Sequence, residues 1–146
     1  MKNAAKVIIV SSILGCLNAA YLIYLYIGNL SGNAVSSFCD VSKTISCSDV
    51  IMSPFVKLFG IPFFMLAAGV YPILAVLGYF ALKSKSPKNL FFTVSILATM
   101  GMTMNIVFMS NELSFANAFC ILCTICLGLI VINLGAAIKG FLSKKN

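Results

Sequence analysis

Residues 115–138 read FANAFCILCTICLGLIVINLGAAI, a run that contains no Asp, Glu, Lys or Arg. A bilayer core is about 30 Å thick and takes roughly 20 consecutive apolar residues in a helix, so the run predicts a membrane-spanning helix. Three further uncharged blocks of similar length, residues 7–27, 58–82 and 90–109, precede it. Together the blocks predict an all-α membrane protein built as a bundle of four transmembrane helices.

The composition of the whole chain agrees with this class. Its 146 residues are 61% hydrophobic and 9% charged, which is too little charge to cover the surface of a soluble domain. The first apolar block is longer than the core of a cleavable signal peptide, so we expect a retained helix. We expect a single transmembrane domain over residues 1–146, with one long outer loop over residues 28–57.

The net charge of +7 follows the predicted topology rather than a nucleic-acid site. Eight of the ten lysines lie on one side of the four spans: Lys2, Lys6, Lys83, Lys85, Lys88, Lys139, Lys144 and Lys145. The other side holds Lys43, Lys57 and the three acids, Asp40, Asp49 and Glu112. By the positive-inside rule, both termini are predicted to be cytoplasmic, and the 28–57 loop and the 110–114 turn are predicted to face outward. Lipid, not nucleic acid, is the expected contact.

The outer loop contains a predicted helix start. Ser46 and Asp49 have the spacing of a capping box, with Ser46 as the N-cap, and Ile51 and Phe55 follow at helical spacing. The pattern predicts a short amphipathic helix over residues 48–58 that lies in the membrane interface. Pro54 is the point at which we expect it to bend or break.

Four of the six cysteines are predicted to share the outer face. Cys39 and Cys47 lie in the outer loop, and Cys120 and Cys123 form a C-x-x-C at the outer end of the last block. Residues three apart at a helix start share one face, so their sulfurs can form a strained, readily reduced disulfide. The positive helix N-terminus favours the attacking thiolate. Two pairs on an oxidising face indicate a thiol–disulfide relay.

Two other interpretations of the four cysteines stay open. The pairs form static disulfides that staple the outer loop, or all four side chains ligate zinc or an iron–sulfur cluster. The wide spacing of Cys39 and Cys47 argues against a metal, and we expect none. The sequence has no histidine, which excludes histidine-based acid–base catalysis. Cys16 and Cys126 lie inside apolar blocks, where a free cysteine usually packs as a small hydrophobic residue.

The cysteines belong to longer motifs. Residues 38–50, FCDVSKTISCSDV, together with Ser53 and the Phe-Gly-Ile-Pro of residues 59–62, resemble the outer-loop signature of the vitamin K epoxide reductase family in its bacterial and archaeal form. The sequence FCILC of residues 119–123 is similar to the redox motif in that family's fourth helix. The resemblance runs through the chain in order and spacing.

The resemblance implies a four-helix bundle around a quinone of the ubiquinone, menaquinone or vitamin K type. It implies that Cys39 meets a DsbA-like or thioredoxin-like partner, that Cys47 exchanges with Cys120, and that Cys123 lies next to the quinone ring. The implied activity is a quinone-dependent thiol–disulfide oxidoreductase that generates disulfides in a prokaryotic inner or plasma membrane. The chain ends at Asn146 without a fused thioredoxin-like domain, so we expect a separate partner protein.

A pocket for an isoprenoid quinone must be apolar and aromatic. Besides Cys123, the residues at the corresponding level are Phe55, Phe59, Phe63, Phe119 and Ser53. We expect these side chains to line the pocket. The alternatives are lipid-facing or core packing for each phenylalanine and helix capping for Ser53.

Two other functions stay open at this point. One is a vitamin K epoxide or quinone reductase in the endoplasmic reticulum membrane, and the other is a non-catalytic membrane protein with structural disulfides. Vertebrate members of the family have a Tyr where this chain has Leu127 and an Asn near the position of Val56. The lack of these two polar groups argues against epoxide reduction.

Overall fold

The computed structural model describes residues 2–33, 35, 37–42, 44–54, 57–58, 60–116 and 119–143, with residues 58, 115 and 116 described for their backbone only. In chain order the elements are α1 Lys2–Leu30, α2 Cys47–Met52, β1 Lys57–Leu58, β2 Ile61–Pro62, α3 Phe63–Lys83, α4 Lys88–Asn111 and α5 Ile121–Leu142. Four of these helices, α1, α3, α4 and α5, are long and apolar enough to cross a membrane. The predicted all-α class with four membrane-length helices is confirmed.

Helix α2 begins where the capping pattern predicts and ends earlier. Ser46 has extended backbone, and its hydroxyl accepts the N–H of Asp49 at 3.2 Å, which confirms it as the N-cap. The predicted helix over residues 48–58 is too long, since α2 stops at Met52. Pro54 disfavours helical backbone in the residue before it, and Ser53 accordingly adopts an extended conformation with ψ of 138°.

A short hairpin separates α2 from α3. Lys57–Leu58 pairs antiparallel with Ile61–Pro62, and the turn places Gly60 at a φ of 84°, a left-handed conformation that favours glycine. Helix α3 therefore begins at Phe63 and not at residue 58, as the apolar block suggested.

The connection between α4 and α5 differs most from the prediction. Residues 110–114 do not form an open turn, because α4 runs to Asn111 and continues as a π-helical turn over Glu112–Ala116. Helix α5 begins at Ile121 and not at residue 115, because Cys120 has extended backbone and acts as the N-cap. Its sulfur accepts the N–H of Cys123 at 3.4 Å.

The four long helices pack as a closed bundle. Helix α1 packs on α3 and α5, and α4 packs on α5 and α3. Close approach needs small residues: a methyl group at Gly15 of α1 would overlap the ring of Tyr71 on α3. Near one end, the hydroxyls of Ser11 and Ser12 donate to Oδ1 of Asn133 at 3.0 and 3.3 Å, which ties α1 to α5 inside the apolar layer.

The outward faces of the bundle are apolar. Leu17 is 64% exposed, Met100 60% and Val10 59%, although all three lie in the middle of long helices. Helices that are hydrophobic on every side are typical of membrane spans. The 31–62 and 112–120 connections meet at one end of the bundle, where the N–H of Phe119 donates to the carbonyl of Thr44 at 2.8 Å.

Candidate active site

The outer loop and the start of α5 bring four sulfur atoms together. Cys39 and Cys47 are joined by a disulfide with Cα atoms 5.8 Å apart, and Cys120 and Cys123 are thiols. The sulfur of Cys120 lies 3.2 Å from the sulfur of Cys47. Reacting atoms in a near-attack arrangement are about 3–3.5 Å apart, so this thiol and this disulfide are placed for exchange.

The position of Cys47 is set in part by backbone contacts of the residues that precede it. Ser42 and Ile45 form an isolated antiparallel bridge, which closes a tight turn. The carbonyl of Thr44 in that turn accepts the N–H of Phe119, the residue before Cys120. The two cysteines that touch are thus held by neighbours that are themselves hydrogen-bonded to each other.

Asp40 organises the loop that carries the disulfide. Its Oδ2 accepts the N–H of Ser37 and the hydroxyl of Ser48, both at 2.6 Å. Its Oδ1 accepts the hydroxyl of Ser46 and the N–H of Ser48, both at 3.1 Å. Burial alone would raise the pKa of Asp40, but the hydrogen bonds from Ser48, Ser37 and Ser46 outweigh it and lower the pKa to about 2. The carboxylate therefore stays charged and fixes the segment between the two loop cysteines.

The C-x-x-C lies at the first turn of α5. Cys120 is the N-cap and Cys123 is the third residue of the helix. Both sulfurs are shielded, since Cys120 is 1% exposed and Cys123 is fully buried.

The loop cysteines are equally shielded. Cys39 is 1% exposed and Cys47 is fully buried, and the hydroxyl of Ser37 lies 3.3 Å from the sulfur of Cys39. Phe38, next to Cys39 in the chain, is largely exposed, but its ring stacks on Tyr21 of α1 with centroids 5.6 Å apart.

An apolar cavity of about 240 Å³ lies between α3, α4 and α5. Its polar lining residues are Tyr71, Asn105 and Cys126. The hydroxyl of Tyr71 donates to the carbonyl of Cys126 at 2.9 Å, and the amide of Asn18 donates to the Cys126 sulfur at 2.9 Å. The apolar walls are Phe63, Leu66, Ala67, Val70, Leu97, Met100, Gly101, Met104, Phe108 and Ile130.

Asn105 is the unusual member of this lining. Its side chain is 6% exposed, and within the described part of the chain its Oδ1 has no hydrogen-bond partner. Leaving a buried polar atom unpaired costs about 1–3 kcal/mol, so this amide oxygen on the cavity wall is an open acceptor for an O–H or N–H group.

The predicted pocket residues divide into three groups. Phe63 lines the cavity and stacks on Phe108 with centroids 5.1 Å apart. Cys123, Phe119 and Ser53 are not among the residues that line it. Ser53 is the C-cap residue of α2, and its N–H donates to the carbonyl of Val50. Phe55 and Phe59 lie outside the described residues, so their assignment stays a prediction.

Sequence reasoning missed three polar residues of this region. The charge pattern treats Asp40 and Glu112 only as charges of the outer face, yet Glu112 is 3% exposed. Asn105 is hidden inside an uncharged block. A signal was available for two of them, because Asn105, Phe108 and Glu112 are spaced i, i+3 and i+7, which places them on one face of a helix.

Four membrane-length helices that hold a disulfide against a thiol fit one class, the integral membrane oxidoreductases with redox cysteines. A sequence model of the vitamin K epoxide reductase family matches residues 6–138, and the chain belongs to this family. The match confirms the resemblance seen in the loop and helix motifs. No curated protein matches the chain.

Proposed function

We propose that the protein is a quinone-dependent thiol–disulfide oxidoreductase that generates disulfides in a partner protein. Electrons pass from a DsbA-like or thioredoxin-like dithiol to Cys39 and Cys47, then to Cys120 and Cys123, and then to a membrane quinone. The observation that carries the proposal is the 3.2 Å contact between the sulfurs of Cys47 and Cys120. A purely structural disulfide would not require a free thiol at that distance.

The contact joins the two cysteine pairs through one mixed disulfide. The thiolate of Cys47 attacks the sulfur of Cys120 in the Cys120–Cys123 disulfide, so the Cys47–Cys120 bond forms and Cys123 leaves as a thiolate. Cys39 then attacks Cys47, the loop disulfide forms, and Cys120 is released. The loop pair loses two electrons and the C-x-x-C pair gains them. The arrangement in the structure, a loop disulfide beside two thiols, is the product of this transfer.

The chain offers a fitting place for a quinone. The cavity is lined almost wholly by apolar and aromatic side chains, and the unpaired amide oxygen of Asn105 is an acceptor for an O–H group of the reduced, hydroquinone form of such a ligand. Cys126 on the cavity wall lies three residues, about one helical turn, from Cys123. When bound, a quinone would supply a two-electron, two-proton acceptor. Phe63 and Phe108 would pack on its ring, and Asn105 Oδ1 would accept a hydroxyl of the reduced form.

The lysine distribution supports an orientation in a prokaryotic inner or plasma membrane. The end of the bundle that carries the 84–87 connection and the chain termini holds most lysines. By the positive-inside rule this end faces the cytoplasm. The cysteine site then faces the oxidising compartment, where a secreted dithiol protein is available.

Disulfide trapping in cells tests the order of transfer. In Cys123→Ala, Cys120 has lost its partner and should be recovered in a disulfide with Cys47. In Cys47→Ala, the partner protein should be recovered on Cys39. Cys16→Ala is the matched control, since Cys16 is a free cysteine of α1 outside the site, and it should give neither product.

Purified protein gives the second test. Quinone-dependent oxidation of a thioredoxin-fold dithiol should be lost in Cys120→Ser and in Cys123→Ser and retained in Cys16→Ser. Retained turnover in either C-x-x-C variant would rule the mechanism out.

A further inference from the structure

Glu112 occupies an unusual place for a carboxyl group. It is the first residue of the π-helical turn that extends α4, and its side chain is 3% exposed. Within the described residues its Oε1 has no hydrogen-bond partner. Burying an unpaired carboxylate is costly, so the neutral acid is the favoured form. π-Helical turns inside α-helices are frequent at functional sites.

Glu112 lies in the neighbourhood of the buried end of the redox pair. It lies close enough to Cys123 for the two side chains to interact electrostatically, and Cys123 is itself fully buried. Water therefore does not reach this thiol freely. A proton that enters or leaves Cys123 needs a protein group to carry it.

The rest of the described chain offers no comparable proton carrier at this end. The sequence has no histidine and three acids. Both oxygens of Asp40 are occupied by hydrogen bonds, and its low pKa makes it a weak base. Asp49 lies exposed on α2. Among the described lysines, Lys57 is the one near this end, and its ammonium lies over the ring of Tyr26 at 5.9 Å.

We propose that Glu112 carries the proton that Cys123 gains and loses as its disulfide opens and closes. When Cys47 attacks Cys120, the sulfur–sulfur bond to Cys123 breaks, and Cys123 leaves with the electron pair as a thiolate. The carboxylic acid of Glu112 gives its proton to that sulfur and is then reprotonated by a proton that the loop thiols have released. When the disulfide reforms, the same transfers run in reverse. The assignment rests on the proposed relay between the two pairs, and it adds to that relay the residue that protonates the leaving sulfur.

The test follows electron transfer within the chain, without quinone. Fully oxidised protein in lipid nanodiscs is mixed with a limiting dithiol that reduces the loop pair. Samples are quenched with acid and alkylated, and the thiols of Cys120 and Cys123 are counted by mass spectrometry over time. General acid–base catalysis contributes about 10²- to 10⁴-fold to a rate. We expect Glu112→Gln to slow the appearance of these thiols by a factor in that range and Glu112→Asp to slow it less.

An equilibrium measurement separates proton transfer from a structural role. A proton carrier changes the rate at which two pairs exchange electrons and not their final distribution. In a thiol–disulfide buffer, Glu112→Gln should therefore leave the ratio of reduced loop pair to reduced C-x-x-C pair unchanged. Asp49→Asn, which neutralises an exposed acid near the same site, is the matched control and should change neither rate nor ratio.

Three outcomes have distinct meanings. A wild-type rate in Glu112→Gln overturns the assignment, and so does a slower rate accompanied by a shifted ratio, which marks a structural role. If wild-type protein passes no electrons between its pairs, the proposed relay itself has failed, and with it the basis of the inference.

Discussion

Replacing Asp40 by Asn should weaken the contact between the two cysteine pairs. The carboxylate holds Ser37, Ser46 and Ser48 through four hydrogen bonds, two to each oxygen. Asn keeps one acceptor oxygen and places an NH₂ donor where the other oxygen was, so two of the four bonds are lost. The segment between Cys39 and Cys47 then holds Cys47 less firmly against Cys120.

The size of the effect follows from the pKa of Asp40. Its value falls from the usual 3.8 to about 2, and one pKa unit corresponds to about 1.4 kcal/mol, so these contacts stabilise the folded loop by at most about 2.5 kcal/mol. Asp40 is partly exposed, and screening by solvent reduces this to about 1 kcal/mol. A loss of about 1 kcal/mol corresponds to roughly a fivefold lower population of the sulfur contact.

The assay is the rate of Cys47–Cys120 disulfide formation in a Cys123→Ala background, measured by acid quenching and mass spectrometry. Asp40→Asn should lower this rate about fivefold, whereas Asp49→Asn should not change it. Because the pKa of Asp40 is lower in the folded protein, the stabilisation is complete above pH 3.8 and is lost as the pH falls toward about 2. Equal trapping rates with Asp and Asn at position 40 would refute the role assigned to the carboxylate.

Three further substitutions test the bundle and the cavity by thermal unfolding in detergent. Gly15→Ala should lower the free energy of unfolding by about 1–3 kcal/mol, because the added methyl group overlaps the Tyr71 ring. Gly69→Ala, which adds its methyl group in open space, should not lower it. Equal effects of the two variants would contradict the close packing of α1 on α3. Asn133→Leu should lower the free energy of unfolding by about 0.6–2 kcal/mol, the usual contribution of interhelical hydrogen bonds in membranes. An unchanged unfolding midpoint would show that the hydrogen bonds from Ser11 and Ser12 do not stabilise the bundle. Asn105→Leu removes an unpaired buried amide oxygen, so it should raise the unfolding midpoint of the ligand-free protein. It should also reduce the rise in midpoint that added hydroquinone gives, and an undiminished rise would exclude Asn105 from the quinone site.

The bundle was predictable because its determinants are local and repeated. Each apolar block is long enough to span a bilayer. The N-cap at Ser46 follows from side-chain chemistry within four residues. The pairing of Cys47 with Cys120 is different in kind, since it joins residues 73 positions apart and came from family resemblance alone.

The wrong helix boundaries and the wrong exposure of Glu112 have physical causes that hydropathy does not reveal. The predicted interfacial helix runs through Pro54, although the residue before a proline avoids helical backbone. Apolar composition puts the start of α5 at residue 115, where the backbone is still part of the preceding π-helical turn. A charged residue between two apolar blocks usually indicates a loop, so the sequence predicts Glu112 in a water-facing turn. Its burial in the structure depends on how α4 and α5 pack, which the sequence does not reveal.

The cavity was beyond sequence reasoning for a further reason. Its walls come from three helices. The aromatic residues that we selected by their predicted depth in the membrane are not the same as those that line the cavity. Phe63 belongs to both sets, whereas Tyr71, Asn105 and Phe108 enter through packing alone. Depth in the membrane can be read from a sequence, but the direction in which a helix face points requires its neighbours.

The shielding of the loop disulfide bears on which reductants the protein accepts. Cys39 and Cys47 expose almost no surface to solvent. Phe38, just before Cys39, stacks on Tyr21 of α1 and so holds this part of the loop against the bundle. In this arrangement a small dissolved thiol has little access to either sulfur. A reductant gains access once the Phe38 segment moves away from α1, so the aromatic stack, and not the sulfur chemistry alone, governs how fast this disulfide is reduced.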